Sequence, residues 1–63
     1  MKKHYEIFIW DDEKDDYIAF KHIDTLYNFH KSDDIEIDDK WYEIVDTVYI
    51  VKDDIMQLYI EEI

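Results

Sequence analysis

The sequence predicts a mostly β fold: a small five-stranded, partly open barrel with one short helical turn. Three observations predict it. Segments rich in Ile, Val, Tyr, Phe and Trp alternate with charged residues at a period near two, as half-buried strands do. Clusters of Asp and Lys punctuate them at short intervals. The longest uninterrupted apolar runs are only four residues, Ile7 to Trp10, Tyr17 to Phe20 and Val48 to Val51, far short of the roughly 20 that a membrane-spanning helix needs.

His4 to Trp10 reads as the first strand, with Tyr5, Ile7 and Ile9 on one side and Glu6, Phe8 and Trp10 on the other. The polar turn Asp11 to Asp16 (DDEKDD) joins it to Tyr17 to Ile23, and the two form a hairpin. Asp24 is placed to cap a single helical turn through Leu26, Tyr27 and Phe29, which would plug one end of the barrel. Ile35 and Ile37 alternate with Glu36 and Asp38 as a third strand. Asp38-Asp39 is the tightest turn candidate, and with no glycine in the chain an Asp there must accept a left-handed backbone. Trp41 to Val51 is the longest strand, and its apolar phase slips between Ile44 and Val48, the mark of a bulge or bend. Lys52-Asp53-Asp54 turns the chain into Ile55 to Ile63, with Met56, Leu58 and Ile60 on one face. Asp54 and Gln57 also resemble a helix capping box, so an α+β arrangement with a C-terminal helix on a four-stranded sheet is the alternative. Five strands with one long bent strand describe an SH3-like or related partly open barrel, and residues 1–63 read as a single compact acidic domain.

Stability must come from packing or a partner. The 63 residues contain no cysteine, glycine or proline, so no disulfide framework assists, and a domain of this size buries only about 60% of its unfolded surface. A hydrophobic content of 48% still argues against disorder. The basic start, Met1-Lys2-Lys3, is followed by an apolar stretch broken at His4 and Glu6, which argues against a targeting segment and for a cytoplasmic location.

Charge is the most informative quantity. Eighteen Asp and Glu stand against seven Lys and no Arg, a formal net charge of −11. Solubility asks for a magnitude of only about 2 to 8. Eighteen carboxylates equal the charge of about 30 Å of duplex DNA, on a domain whose expected diameter is about 27 Å. Direct binding to nucleic acid or to an anionic membrane is therefore disfavoured, and a basic protein is the natural partner.

The residues offer little catalytic chemistry. Asp34 to Asp38 has the alternating oxygens of a calcium loop, but its sixth position is Asp39 where glycine is needed and its twelfth is Val45 where a Glu is needed. The cluster from Asp11 fails likewise at His22. The histidines His4, His22 and His30 lack zinc spacing, and Ser32, before Asp33-Asp34, reads as a turn residue. No metal, cofactor or catalytic residue is assigned, and the expectation is a non-enzyme. The candidate partner-binding residues are Asp11, Asp12, Glu13, Asp15 and Asp16, then Asp33, Asp34, Glu36, Asp38 and Asp39, with Trp10 and Trp41 as aromatic anchors beside the acidic turns. Core burial is the competing reading for both tryptophans, and the favoured one for Trp41.

The segment Asp33 to Ile63, DDIEIDDKWYEIVDTVYIVKDDIMQLYIEEI, is similar to the C-terminal β-hairpin module of small SH3-like phage proteins from low-GC hosts. Size, lack of cysteine and an Ile/Asp/Glu/Lys/Tyr-rich composition extend the resemblance to the small acidic proteins that phages make early in infection. That class includes anti-restriction proteins, anti-CRISPR proteins and uracil-DNA glycosylase inhibitors. The resemblance implies an inhibitor that occupies the basic nucleic-acid-binding site of a host enzyme in the host cytoplasm, as DNA mimics do. An immunity or antitoxin-like protein against a basic toxin, and a self-associating structural or adaptor module, are the alternatives. The last leaves a homodimer open.

Overall fold

The computed structural model describes all 63 residues, Met1–Ile63. Five strands form one curled sheet: β1 (Lys3–Asp11), β2 (Asp16–Thr25), β3 (Asp34–Ile37), β4 (Lys40–Ile50) and β5 (Ile55–Glu62), in the order β2-β1-β5-β4-β3. Neighbours are antiparallel except β1 and β5, which run parallel from Tyr5↔Met56 to Ile9↔Ile60. This is the five-stranded, partly open barrel that the alternation predicts, and the C-terminal segment is a strand.

Alternation decides which side chains enter the core. Tyr5 and Ile7 of β1, Ile35 of β3, Tyr42 and Ile44 of β4, and Leu58 and Ile60 of β5 are buried on the concave face, and Ile9, Ile23, Phe29, Ile37 and Met56 pack around them. Curling brings the outer strands toward one another. Phe20 of β2 approaches Tyr42 with ring centroids 6.1 Å apart, and Lys21 of β2 reaches Asp38 at 3.1 Å.

Two bulges shape the sheet. The β4–β5 register slips between Ile44 and Asp46, where the apolar phase of the sequence changes. A second slip, between Ile7 and Phe8 on β1, leaves Phe20 without a cross-strand partner. Without glycine, the left-handed positions fall to polar residues: Asp15, Ser32, Asp38, Asp39 and Asp54 all have positive φ. Asp and Asn tolerate that region best among residues with a side chain, because their short polar groups hydrogen-bond locally. Asp38 and Asp39 both adopt it, as the tight β3–β4 turn requires.

The expected helical turn after Asp24 does not form. Asp24 pairs with His4 across the hairpin and β2 continues to Thr25, so the residues that would start a helix are held extended. The irregular connection that follows still plugs the barrel. Phe29 packs edge-on against Tyr5, whose hydroxyl donates to the Tyr27 carbonyl (2.9 Å) and accepts from the Phe29 N–H (3.3 Å). The one helical turn is a 3-10 turn at Val51–Asp53, closed by Asp54 in the left-handed region. Trp41 is not a core residue: it is 57% exposed, because Tyr42 and Ile44 occupy the inward phase of β4. No helix is long and apolar enough to cross a membrane.

Candidate protein-docking surface

Strand direction determines where the acids gather. β1 and β5 run parallel and β4 runs against them, so the β1–β2 turn, the C-terminal end of β5 and the β3–β4 turn all lie at one end of the sheet. That end carries Asp11, Asp12, Glu13, Asp15, Asp16, Asp38, Asp39, Glu61 and Glu62 against Lys14, Lys40 and the Lys21 ammonium that reaches Asp38. The opposite end carries Lys2, Lys3, Lys52 and the N-terminal residue against Asp24, Asp53 and Asp54. The charge is polarised along the strands.

The convex face continues this pattern. Asp34 lies opposite Glu43, and Glu43 opposite Glu61, an acidic row across three strands with neighbours about 5 Å apart at Cβ. Beyond Glu61 the face becomes aromatic. Phe8 stacks on Tyr59 at 5.3 Å, Tyr17 meets Tyr59 edge-on at 5.1 Å, and Trp10 meets Tyr17 edge-on at 5.2 Å. The Tyr17 hydroxyl donates to Glu61 (2.9 Å). Partial burial first, and then the Glu61 carboxylate, hold the Tyr17 phenol above its ordinary pKa. Trp10 is half-buried in this group and its indole N–H donates to Asp12 (2.7 Å). Half-buried aromatics beside an acidic rim have the composition of protein-binding surfaces.

The predicted acidic residues divide by what they hold. Asp11 is a turn former, its Oδ1 accepting the N–H groups of Glu13 (2.9 Å) and Lys14 (3.4 Å). Asp16 accepts from the Tyr17 N–H, and Asp33, half-buried, from the His30 N–H at 2.8 Å. Glu36 accepts from the Asp39 N–H at 2.6 Å, and Asp38 faces Lys21. Glu13, Asp15, Asp34 and Asp39 make no side-chain hydrogen bond or ion pair, and their carboxylates stand in solvent. Asp34 begins β3 level with Glu43 and Glu61, so the second predicted cluster runs along β3 to the acidic end, where Asp38 and Asp39 join the first. Glu43, Glu61 and Glu62 complete the surface and were not among the predicted residues. Their cross-strand pairing is the missing signal.

The hairpin also unites residues that sequence spacing separates. His4 Nδ1 lies 2.6 Å and His22 Nε2 3.3 Å from the same Asp24 oxygen. These three exposed groups are the ones whose ligand atoms lie close enough together, within 4.8 Å, to share a metal ion. The arrangement is also a charge-assisted hydrogen-bond network. The hydrogen bond from His4 chiefly, then the charges of His4, His22 and Lys2, hold the Asp24 carboxyl below its ordinary pKa, against a smaller opposing effect of desolvation.

No protein-family model, no curated protein and no solved structure matches the chain.

Proposed function

We propose that the chain is a phage-type protein inhibitor whose acidic end docks on the basic nucleic-acid-binding site of a host enzyme in the cytoplasm. One observation carries this reading: nine carboxylates gather at one end of the sheet against three lysines, Lys14, Lys40 and the Lys21 that pairs with Asp38, while the other end is close to electroneutral. Acidity needed only for solubility has no reason to be polarised, and interspersed charge serves that purpose better. A concentrated negative end steers the protein toward a cationic cleft, and the Trp10–Tyr17–Tyr59 group beside it supplies the apolar contact that charge alone lacks.

The test compares two variants of equal net charge. Glu13→Gln, Asp15→Asn and Glu62→Gln neutralise the acidic end. Asp24→Asn, Asp53→Asn and Asp54→Asn neutralise the same number of carboxylates at the opposite end. Asn keeps the left-handed backbone at positions 15 and 54 accessible. Each protein is immobilised, loaded with bacterial lysate at low salt and eluted with a salt gradient, and the retained enzymes are assayed for displacement from DNA. The expected result is retention of nucleic-acid enzymes by the wild type and the second variant, with elution at markedly lower salt from the first. Equal elution from both variants would mean that total charge, not the acidic end, is responsible. Capture of one small basic toxin would favour an immunity role, and recovery of the chain alone would favour self-association.

A further inference from the structure

β3 is an edge strand of four residues with no neighbour on its outer side. Which of its backbone groups face outward follows from the ladder. The Ile44 N–H donates to the Asp33 carbonyl, and antiparallel bonding alternates every second residue. Asp33, Ile35 and Ile37 therefore turn toward β4, and Asp34 and Glu36 present their N–H and C=O groups outward.

A groove of about 540 Å³ opens along this edge, between β3 and the β2 side of the barrel. Ile35 and Ile37 form one wall and Ile23, Tyr27 and Phe29 the other, with Asp34, Glu36 and Asp38 on the rim. The chain already places one cation there: Lys21 crosses from β2 to Asp38 at 3.1 Å.

We propose that this edge binds an extended segment of a basic protein as an added strand. The segment would hydrogen-bond to Asp34 and Glu36 through its backbone and place Lys or Arg at alternate positions against their carboxylates. The residues between, being apolar, would point into the groove. The spacing suits this, since alternate side chains on one strand face lie about 6.6 to 6.8 Å apart on both partners, and strand addition draws affinity from main-chain bonds and specificity from alternate side chains. A second copy of this chain fits badly. Pairing β3 with β3 would set acid against acid, between two chains of net charge −11. The inference rests on the basic-partner reading above and names the form the partner takes.

The experiment is an NMR titration of the labelled protein with two peptides of identical composition, acetyl-Lys-Val-Lys-Val-Lys-Val-amide and acetyl-Lys-Lys-Lys-Val-Val-Val-amide. The proposal expects the alternating peptide to bind at least tenfold more tightly and to slow amide exchange at Asp34 and Glu36. Glu36→Pro, which removes an outward N–H that the β3–β4 ladder does not use, should lose that binding, whereas Glu36→Gln should only weaken it. If Glu36→Pro does not fold, the exchange rates at Asp34 and Glu36 in the wild type decide alone. Equal binding of both peptides, with shifts confined to Asp11–Asp16, would overturn strand addition and leave the acidic-end reading standing. No response to either peptide would count against both.

Discussion

Reversing one charge in the convex acidic row should stabilise this protein, because Glu43 sits between two like charges. Asp34 lies directly opposite on β3 and Glu61 on β5, and all three side chains are exposed. Two unit charges about 6 Å apart in water repel by about 0.7 kcal/mol, and screening at 0.15 M salt halves this to about 0.3 kcal/mol per pair. Glu43→Gln removes two such pairs and should gain about 0.6 kcal/mol. Glu43→Lys converts both to attraction and should gain about 1.3 kcal/mol, a rise in Tm of about 5 to 10 °C for a domain of this size. Thermal melts of the three proteins in 10 mM and 500 mM salt measure this. The order should be Lys above Gln above wild type at low salt, with the differences shrinking as salt rises. Equal melting of Glu43→Lys and Glu43→Gln, or a gap that salt does not narrow, would refute the repulsion argument.

Four further outcomes follow from the same structure. Added salt should raise the wild-type Tm between low and moderate ionic strength, since net charge opposes compaction, and a flat or falling Tm would contradict strong self-repulsion. Asp39→Gly should add about 1 kcal/mol by relieving a left-handed backbone at φ 68°, measured by urea unfolding, with no gain contradicting that strain. Leu58→Ala, at a fully buried position, should cost about 2 to 5 kcal/mol, enough to unfold a domain of marginal stability as seen by circular dichroism. Tyr17 has a folded pKa above its unfolded value, so its neutral form is favoured in the fold. Its contribution is full below pH 10 and is lost as pH rises through the folded value. Tyr17→Phe should flatten the alkaline fall in Tm, and an unchanged profile would remove Tyr17 from that effect.

Local pattern carried most of the strands, because each core residue sits in phase with its neighbours: Tyr5 with Ile7, Tyr42 with Ile44, Leu58 with Ile60. The same phase places Trp41 outside once Tyr42 and Ile44 are inside, so its exposure was legible from alternation, although its aromatic bulk argued for the core. The helical turn at Asp24 failed for a non-local reason, since Asp24 had a partner in His4, twenty residues earlier. Non-local pairing also explains the incomplete surface. Glu61 and Glu62 join the acidic set only through the β4–β5 register and the parallel β1–β5 pairing, which no short window of sequence contains, whereas Glu43 faces Asp34 across the local β3–β4 hairpin and was legible there.

Association kinetics with a captured enzyme test the central claim most directly. The rate constant should fall steeply with ionic strength for the wild type and for the variant neutralised at Asp24, Asp53 and Asp54, and clearly less steeply for the variant neutralised at Glu13, Asp15 and Glu62. Identical slopes for the two charge-matched variants would contradict docking through the acidic end.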